Sequence, residues 1–193
     1  MKNIFSNLNG TFGALFEGIN REALSNQIFL KLLYKKWIQS HGLLVLRGKE
    51  LNHLSTKDLI SISKNFGTID LITHSARQNF MVNNSAILRI GNIKNNSGDL
   101  ISQFSAVPQL KTRRDVQYNP NTQRPVWHTD STFLKSPPIG SVMHCKMTPP
   151  SGGQTLFSNT RTAYKNFNKE TKKYLAQFEA ICSLAHHDKK INA

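Results

Sequence analysis

Trp127-His128-Thr129-Asp130 sets an imidazole and a carboxylate two positions apart. Side chains on an extended backbone alternate faces with period two, so His128 and Asp130 point to the same side and can hold one ion. A neutral imidazole and a carboxylate make up two-thirds of the two-histidine, one-carboxylate facial triad, which leaves open positions on Fe(II) for a co-substrate and oxygen. Such ligands suit a redox-tunable ferrous ion, whereas thiolates draw zinc or clusters.

Taken alone, the pair discriminates little. Seven histidines in a chain of this length produce a His-X-Asp by chance in roughly one such chain in five. A second one stands at His186-His187-Asp188, in a polar, Lys-rich tail that reads as solvated. The bland alternative for His128 and Asp130 is a buried histidine satisfied by a neighbouring carboxylate.

The flanks favour the metal. After Trp127 to Phe133 come Ser136-Pro137-Pro138, the strand-like Ile139 to Met147, and Thr148-Pro149-Pro150-Ser151-Gly152-Gly153. Gln154-Thr155-Leu156-Phe157 and Thr162-Ala163-Tyr164 follow. Upstream, Gly18 leads into a helical stretch, then His41-Gly42-Leu43-Leu44-Val45-Leu46-Arg47-Gly48, then a second helix ending at Phe66-Gly67. This order resembles the TauD/TfdA-like (taurine / 2,4-dichlorophenoxyacetate dioxygenase) family of Fe(II)/2-oxoglutarate-dependent dioxygenases. The resemblance covers about residues 12–185, and only the amino-terminal part of a family member.

The resemblance implies an α+β chain with the double-stranded β-helix (jelly-roll) oxygenase fold, incomplete at its C-terminus, in which residues 1–193 form a single truncated domain. It implies Fe(II) as cofactor, 2-oxoglutarate as co-substrate, molecular oxygen as oxidant, and hydroxylation of a small organic acid. His128 and Asp130 match the first two iron ligands, and Thr155 matches the hydroxyl that contacts a 2-oxoglutarate carboxylate. Family members place a distal histidine far downstream, followed by an arginine for the other carboxylate. The last arginine here is Arg161, and His144, His186 and His187 offer imidazoles outside the family's context. The chain alone is therefore expected to be inactive, with a C-terminal segment or a homo-oligomer as partner. Substrate-binding residues are not legible.

Composition narrows the classes. A chain of 193 residues with 38% apolar content and eleven phenylalanines can bury a core, which argues against wholesale disorder. Two cysteines, Cys145 and Cys182, are too few for a disulfide framework and read as reduced thiols in a cytoplasmic protein. Met1 to Phe16 lacks the apolar core of a secretory signal, and the aliphatic run Leu43 to Leu46 is far too short to span a bilayer. The net charge of +14 raises nucleic acid as a partner. Its dispersal into doublets, with no basic stripe alternating with exposed aromatics, argues against one.

Elements follow from periodicity. Ser25 is the expected cap of a helix with Ile28, Phe29, Leu32, Leu33 and Trp37 inward, stopped by Gly42. Leu43 to Arg47 reads as a buried strand, and Ser55-Thr56-Lys57-Asp58 as a capping box before the stripe Leu59, Ile62 and Phe66. Ile87 to Ile90 is a short strand before the loop Gly91 to Asp99. Residues 103–124 read as a mobile loop or lid. Strands are expected at Ile139 to Met147, with Cys145 packed, at Gln154 to Ser158, and at Ala180 to Ala185. Helices are expected at Thr160 to Phe167 and Asn168 to Phe178, with Tyr174, Leu175 and Phe178 inward.

Two other functions compete with the dioxygenase. One is a non-enzymatic remnant of the family, and the other a basic nucleic-acid-binding protein whose His-X-Asp is incidental. Sequence downstream with a histidine and then an arginine separates the first from the dioxygenase, and salt-dependent retardation of DNA or RNA would mark the second.

Overall fold

A computed structural model describes residues 5–8, 12–70, 81–82, 86–91, 93–99, 101, 129–148, 150, 155–183 and 185. Residues 103–124, expected to form a lid, lie outside the described residues. The chain divides into two compact units, one from Met1–Leu71 with Ile139–Asn159, the other from Ile72–Pro138 with Thr160–Ala193.

The first unit holds a three-stranded sheet of β1 (Phe5–Asn7), β2 (Ala14–Glu17) and β3 (Leu44–Arg47). β1 and β2 run antiparallel with Phe5 opposite Phe16; β2 and β3 run parallel with Phe16 opposite Leu46. A parallel pair needs a crossover, supplied by a 3-10 turn at Ala23–Ser25 and helix α1 (Gln27–Gln39). Alternation along β2 turns Ala14 and Phe16 into the core and Glu17 to solvent. Phe16 then joins Ile19, Leu24, Leu30, Leu33, Leu54 and Ile62, with the rings of Phe5 and Phe29 edge-on to it at 4.7 and 5.3 Å.

The cap of α1 is Asn26, one residue beyond the expected Ser25. Asn26 takes an extended conformation, and its Oδ1 accepts from the amides of Ile28 and Phe29, while Ser25 is consumed by the preceding 3-10 turn. The buried face differs as well. Leu30 and Leu33 are fully enclosed, and Ile28, expected inside, is 81% exposed. The helix ends in a Schellman arrangement: the Gly42 amide donates to the Trp37 carbonyl and the His41 amide to that of Ile38. His41 itself takes the left-handed conformation at φ 57°.

β3 is half-buried rather than enclosed. Just beyond it the backbone of Ile19 crosses Gly48 so closely that a Cβ there would lie 1.8 Å from the Ile19 carbonyl oxygen. Helix α2 (Thr56–Ser63) starts with the expected capping box. Ser55 Oγ accepts from the Asp58 amide at 3.2 Å, and Asp58 Oδ2 accepts from the Ser55 amide at 2.8 Å. The Ser55 amide and the Ser55 hydroxyl, both donating to Asp58 Oδ2, together with the Arg21 guanidinium 2.9 Å away, lower the pKa of the Asp58 carboxyl to about 2. Phe66, past the end of α2, packs against Tyr34 and Trp37.

Residues 139–147 form no strand, contrary to expectation, because no described residue pairs with them. Gly140 lies instead against the Trp37 ring of α1, and Ile139 beside Gly67. Cys145, expected to pack, is exposed, as are Met143 and Met147; the alternating positions face solvent because no described element covers them. Of the residues expected as a strand from 154 to 158, those described, 155–158, are irregular for the same lack of a partner.

In the second unit the strand expected at Ile87 to Ile90 is reduced to an antiparallel bridge between Met81 and Leu88. Gly91 to Asp99 forms a loop in its described part, where Asn95 Oδ1 accepts from the Asp99 amide. Helices α3 (Thr160–Asn166) and α4 (Lys169–Leu175) fall where expected, and Asn168 caps α4 by accepting from the Thr171 amide at 2.7 Å. Tyr174, Leu175 and Phe178 are exposed rather than inward, since no described element of this unit covers them. Residues 180–183 carry no strand.

Candidate metal centre

Asp130 lies at the start of a turn through Ser131, whose φ of 58° is left-handed, and its carboxylate is exposed to solvent. As a hard oxygen donor a carboxylate fits a ferrous ion. His128 lies outside the described residues, so the imidazole half of the pair rests on its spacing from Asp130 alone. Thr155 lies in the first unit, exposed, in an irregular segment that leaves its hydroxyl accessible. The preceding Gly152 and Gly153 are outside the described residues, as are His186, His187 and Asp188. Among the described residues no three His, Cys, Asp or Glu side chains gather to hold a metal.

His144, the alternative imidazole, is half-buried in the first unit, and both its ring nitrogens are covered with no hydrogen-bond partner. Burial pushes its pKa below 6.5 and the Lys146 ammonium adds to the shift, while the Leu51 backbone, outside hydrogen-bonding geometry, pulls the other way. Lys146 was not singled out by spacing. Its Nζ donates to the carbonyls of Asn52 and Leu54 at 3.0 and 3.1 Å, fixing residues 139–147 to the end of the 3-10 turn Lys49–His53. The only trace of this role in the sequence is a lysine between Cys145 and Met147.

The sequence matches the family described as "Taurine catabolism dioxygenase TauD, TfdA family" over residues 6–192, and the chain belongs to that family. It is 28% identical over 181 residues to the (S)-phenoxypropionate/alpha-ketoglutarate-dioxygenase of Delftia acidovorans, covering 94% of this chain and 54% of that protein. The alpha-ketoglutarate-dependent 2,4-dichlorophenoxyacetate dioxygenase of Cupriavidus pinatubonensis is 28% identical over 158 residues, 81% of this chain and 50% of its own. An alkylsulfatase of Acinetobacter baylyi is 37% identical over 57 residues, 30% of this chain and 18% of its own. The chain thus spans about half the length of the phenoxypropionate and dichlorophenoxyacetate relatives, and what it matches is the amino-terminal part of the family. No solved structure matches it significantly. Among the described residues no helix is long and apolar enough to cross a membrane.

Proposed function

We propose that the chain is the amino-terminal portion of an Fe(II)- and 2-oxoglutarate-dependent dioxygenase of the jelly-roll class that hydroxylates a small organic acid. The observation that carries this reading is the family match over residues 6–192, which contains His128, Asp130 and Thr155 in one stretch. Two of the relatives bear alpha-ketoglutarate and an aryloxy acid in their names, which supports the co-substrate and the substrate class.

In this reading His128 and Asp130 supply an imidazole and a carboxylate to the metal, and Thr155 donates its hydroxyl hydrogen to a carboxylate of 2-oxoglutarate. When bound, the iron supplies the oxidising chemistry, and the balance is 2-oxoglutarate, O2 and substrate going to succinate, CO2 and hydroxylated substrate. The Asp130 carboxylate offsets part of the cation's charge, and a neutral His128 leaves a ring nitrogen free to ligate. The third ligand and the arginine for the distal carboxylate come from outside residues 1–193, since Arg161 is the last arginine and the other imidazoles lack the spacing.

Anaerobic equilibrium dialysis against Fe(II) tests the assignment. His128→Ala should abolish binding, leave circular dichroism nearly unchanged, and contrast with His186→Ala, which should bind as the parent does. Undiminished affinity in His128→Ala, or its loss in His186→Ala, would refute the metal assignment.

A further inference from the structure

Residues 139–147 are attached to the first unit without a strand ladder among the described residues. Val142, Met143 and Met147 are exposed, as is the Cys145 thiol, so the apolar side chains of the segment contribute little to its attachment. Near its start Ile139 lies beside Gly67, and Gly140 sits against the Trp37 ring, where a Cβ would lie 2.9 Å from Cζ2. That ring is fixed in turn by Nε1 donating to the Gly42 carbonyl at 2.7 Å. Near its end the Lys146 ammonium is anchored on the Asn52 and Leu54 carbonyls, at the close of the turn Lys49–His53. Between these points stands His144, its two ring nitrogens covered and, among the described residues, without a hydrogen-bond partner.

Such a ring suits its place only when neutral. A neutral imidazole leaves one N–H and one lone pair unpaired, whereas the imidazolium presents two charged donors with no acceptor, and covering an ion costs far more than covering a neutral polar group. The charges around it do not compensate. The turn beside the ring carries Lys49, Glu50 and His53, all exposed, with Glu50 accepting from the Arg21 amide at 2.8 Å. Helix α2 carries Lys57 and Asp58, the latter taken up by Ser55 and Arg21, and α1, which meets the segment at Gly140, carries lysines and no acid. Among the described residues the charge that acts on the ring is the like charge of Lys146, and the Leu51 backbone approaches without reaching hydrogen-bonding geometry. Moving the ring into water disturbs little else, since Met143 and Cys145 on either side are already exposed.

We propose that residues 139–147 are an acid-released strap: protonation of His144 frees the segment from the first unit, breaking the Lys146 anchor and uncovering the Trp37 ring. The docked strap favours the neutral imidazole, so docking is fully present above 6.5 and is lost as pH falls through the lowered value of the folded chain. The device lies outside the dioxygenase reading and needs neither metal nor 2-oxoglutarate.

Trp37 reports the strap. In a Trp127→Phe background, which leaves Trp37 as the one tryptophan, emission is followed with a chelator present. The scan runs from about pH 8 to about pH 5, where histidine titrates, with far-UV circular dichroism recorded in parallel. Asp58, at about 2, stays ionised throughout. A red shift of Trp37 emission with its midpoint below 6.5 and unchanged circular dichroism is expected. His144→Leu should stay at the neutral-pH emission across the range, and His144→Gln, uncharged but polar, should do the same if the leucine variant misfolds. Lys146→Met should show the red-shifted emission already at neutral pH. An invariant parent spectrum, a shift that persists in both His144 variants, or a Lys146→Met spectrum equal to the parent's at neutral pH would overturn the proposal. So would a midpoint above 6.5, which would mean that the imidazolium finds an acceptor at the Leu51 backbone, or a parallel loss of circular dichroism, which would mean that the whole unit unfolds.

Discussion

Thr155 and His144 show how differently single side chains carry function and stability in this chain. Thr155 offers one exposed hydroxyl in an irregular segment, and its assigned role is one hydrogen bond to a charged acceptor. Such a bond contributes about 1.5–3 kcal/mol, so in the complete domain Thr155→Val should weaken 2-oxoglutarate roughly ten- to a hundredfold, read by calorimetric titration. Lost Fe(II) affinity with 2-oxoglutarate binding intact would show that the role is misassigned. His144 is instead a half-buried imidazole whose two covered ring nitrogens have no hydrogen-bond partner, its pKa lowered by burial and by Lys146. Its folded pKa lies below 6.5, so the unfolded chain takes up the proton first and stability falls as pH drops below 6.5. Thermal unfolding followed from neutral pH downward should show this loss in the parent and a shallower one in His144→Leu. Equal slopes would mean that His144 is not buried as described.

At the scale of elements, one close approach and one capping box offer tests of how the first unit is held together. Gly48→Ala would set a Cβ against the Ile19 carbonyl and force β3 and the chain after β2 apart. A cost of about 1–3 kcal/mol is expected by analogy with overpacked sites, read as a lower urea midpoint; an unchanged midpoint would deny the contact. The capping box of α2 is the second test. Ser55→Ala should cost about 1 kcal/mol. Because Asp58 is held at about 2 against an ordinary 3.8, its contribution is fully present above 3.8 and disappears as pH falls toward 2. Arg21→Gln should reduce that acid sensitivity.

These elements also mark what the sequence makes legible. The capping box and the Asn168 cap depend on neighbours within a few residues, and both form as local chemistry dictates; the strand expected after Gly42 forms because β2 lies within reach to pair with it. The cap of α1 moved by one residue because a 3-10 turn, invisible to helical periodicity, absorbed Ser25. The strands expected at 139–147 and 180–185 had β-like composition, but a strand exists only when another strand bonds to it. No local signal reveals whether that partner is within reach. Of the candidate site, Asp130 and Thr155 are found exposed and accessible, while His128 is legible only as a spacing.

On the scale of the molecule, the buried hydrophobic core of the described residues lies between Ala14 and Ile62, and most of the exposed large apolar side chains among them come after Phe133. The chain carries a net charge of +14, and its family match spans about half of its relatives' length; the proposed function takes it as the amino-terminal portion of a dioxygenase. Succinate formation from 2-oxoglutarate, measured in air with Fe(II) and a small aryloxy acid, tests that account most directly. It would be followed for residues 1–193 alone and for the same residues joined in one chain to the carboxy-terminal portion of the Delftia relative. The account predicts no succinate from the chain alone, turnover by the joined protein, and none when His128→Ala replaces the parent. Sustained turnover by monomeric residues 1–193 would contradict it, as would a folded joined protein that consumes no 2-oxoglutarate.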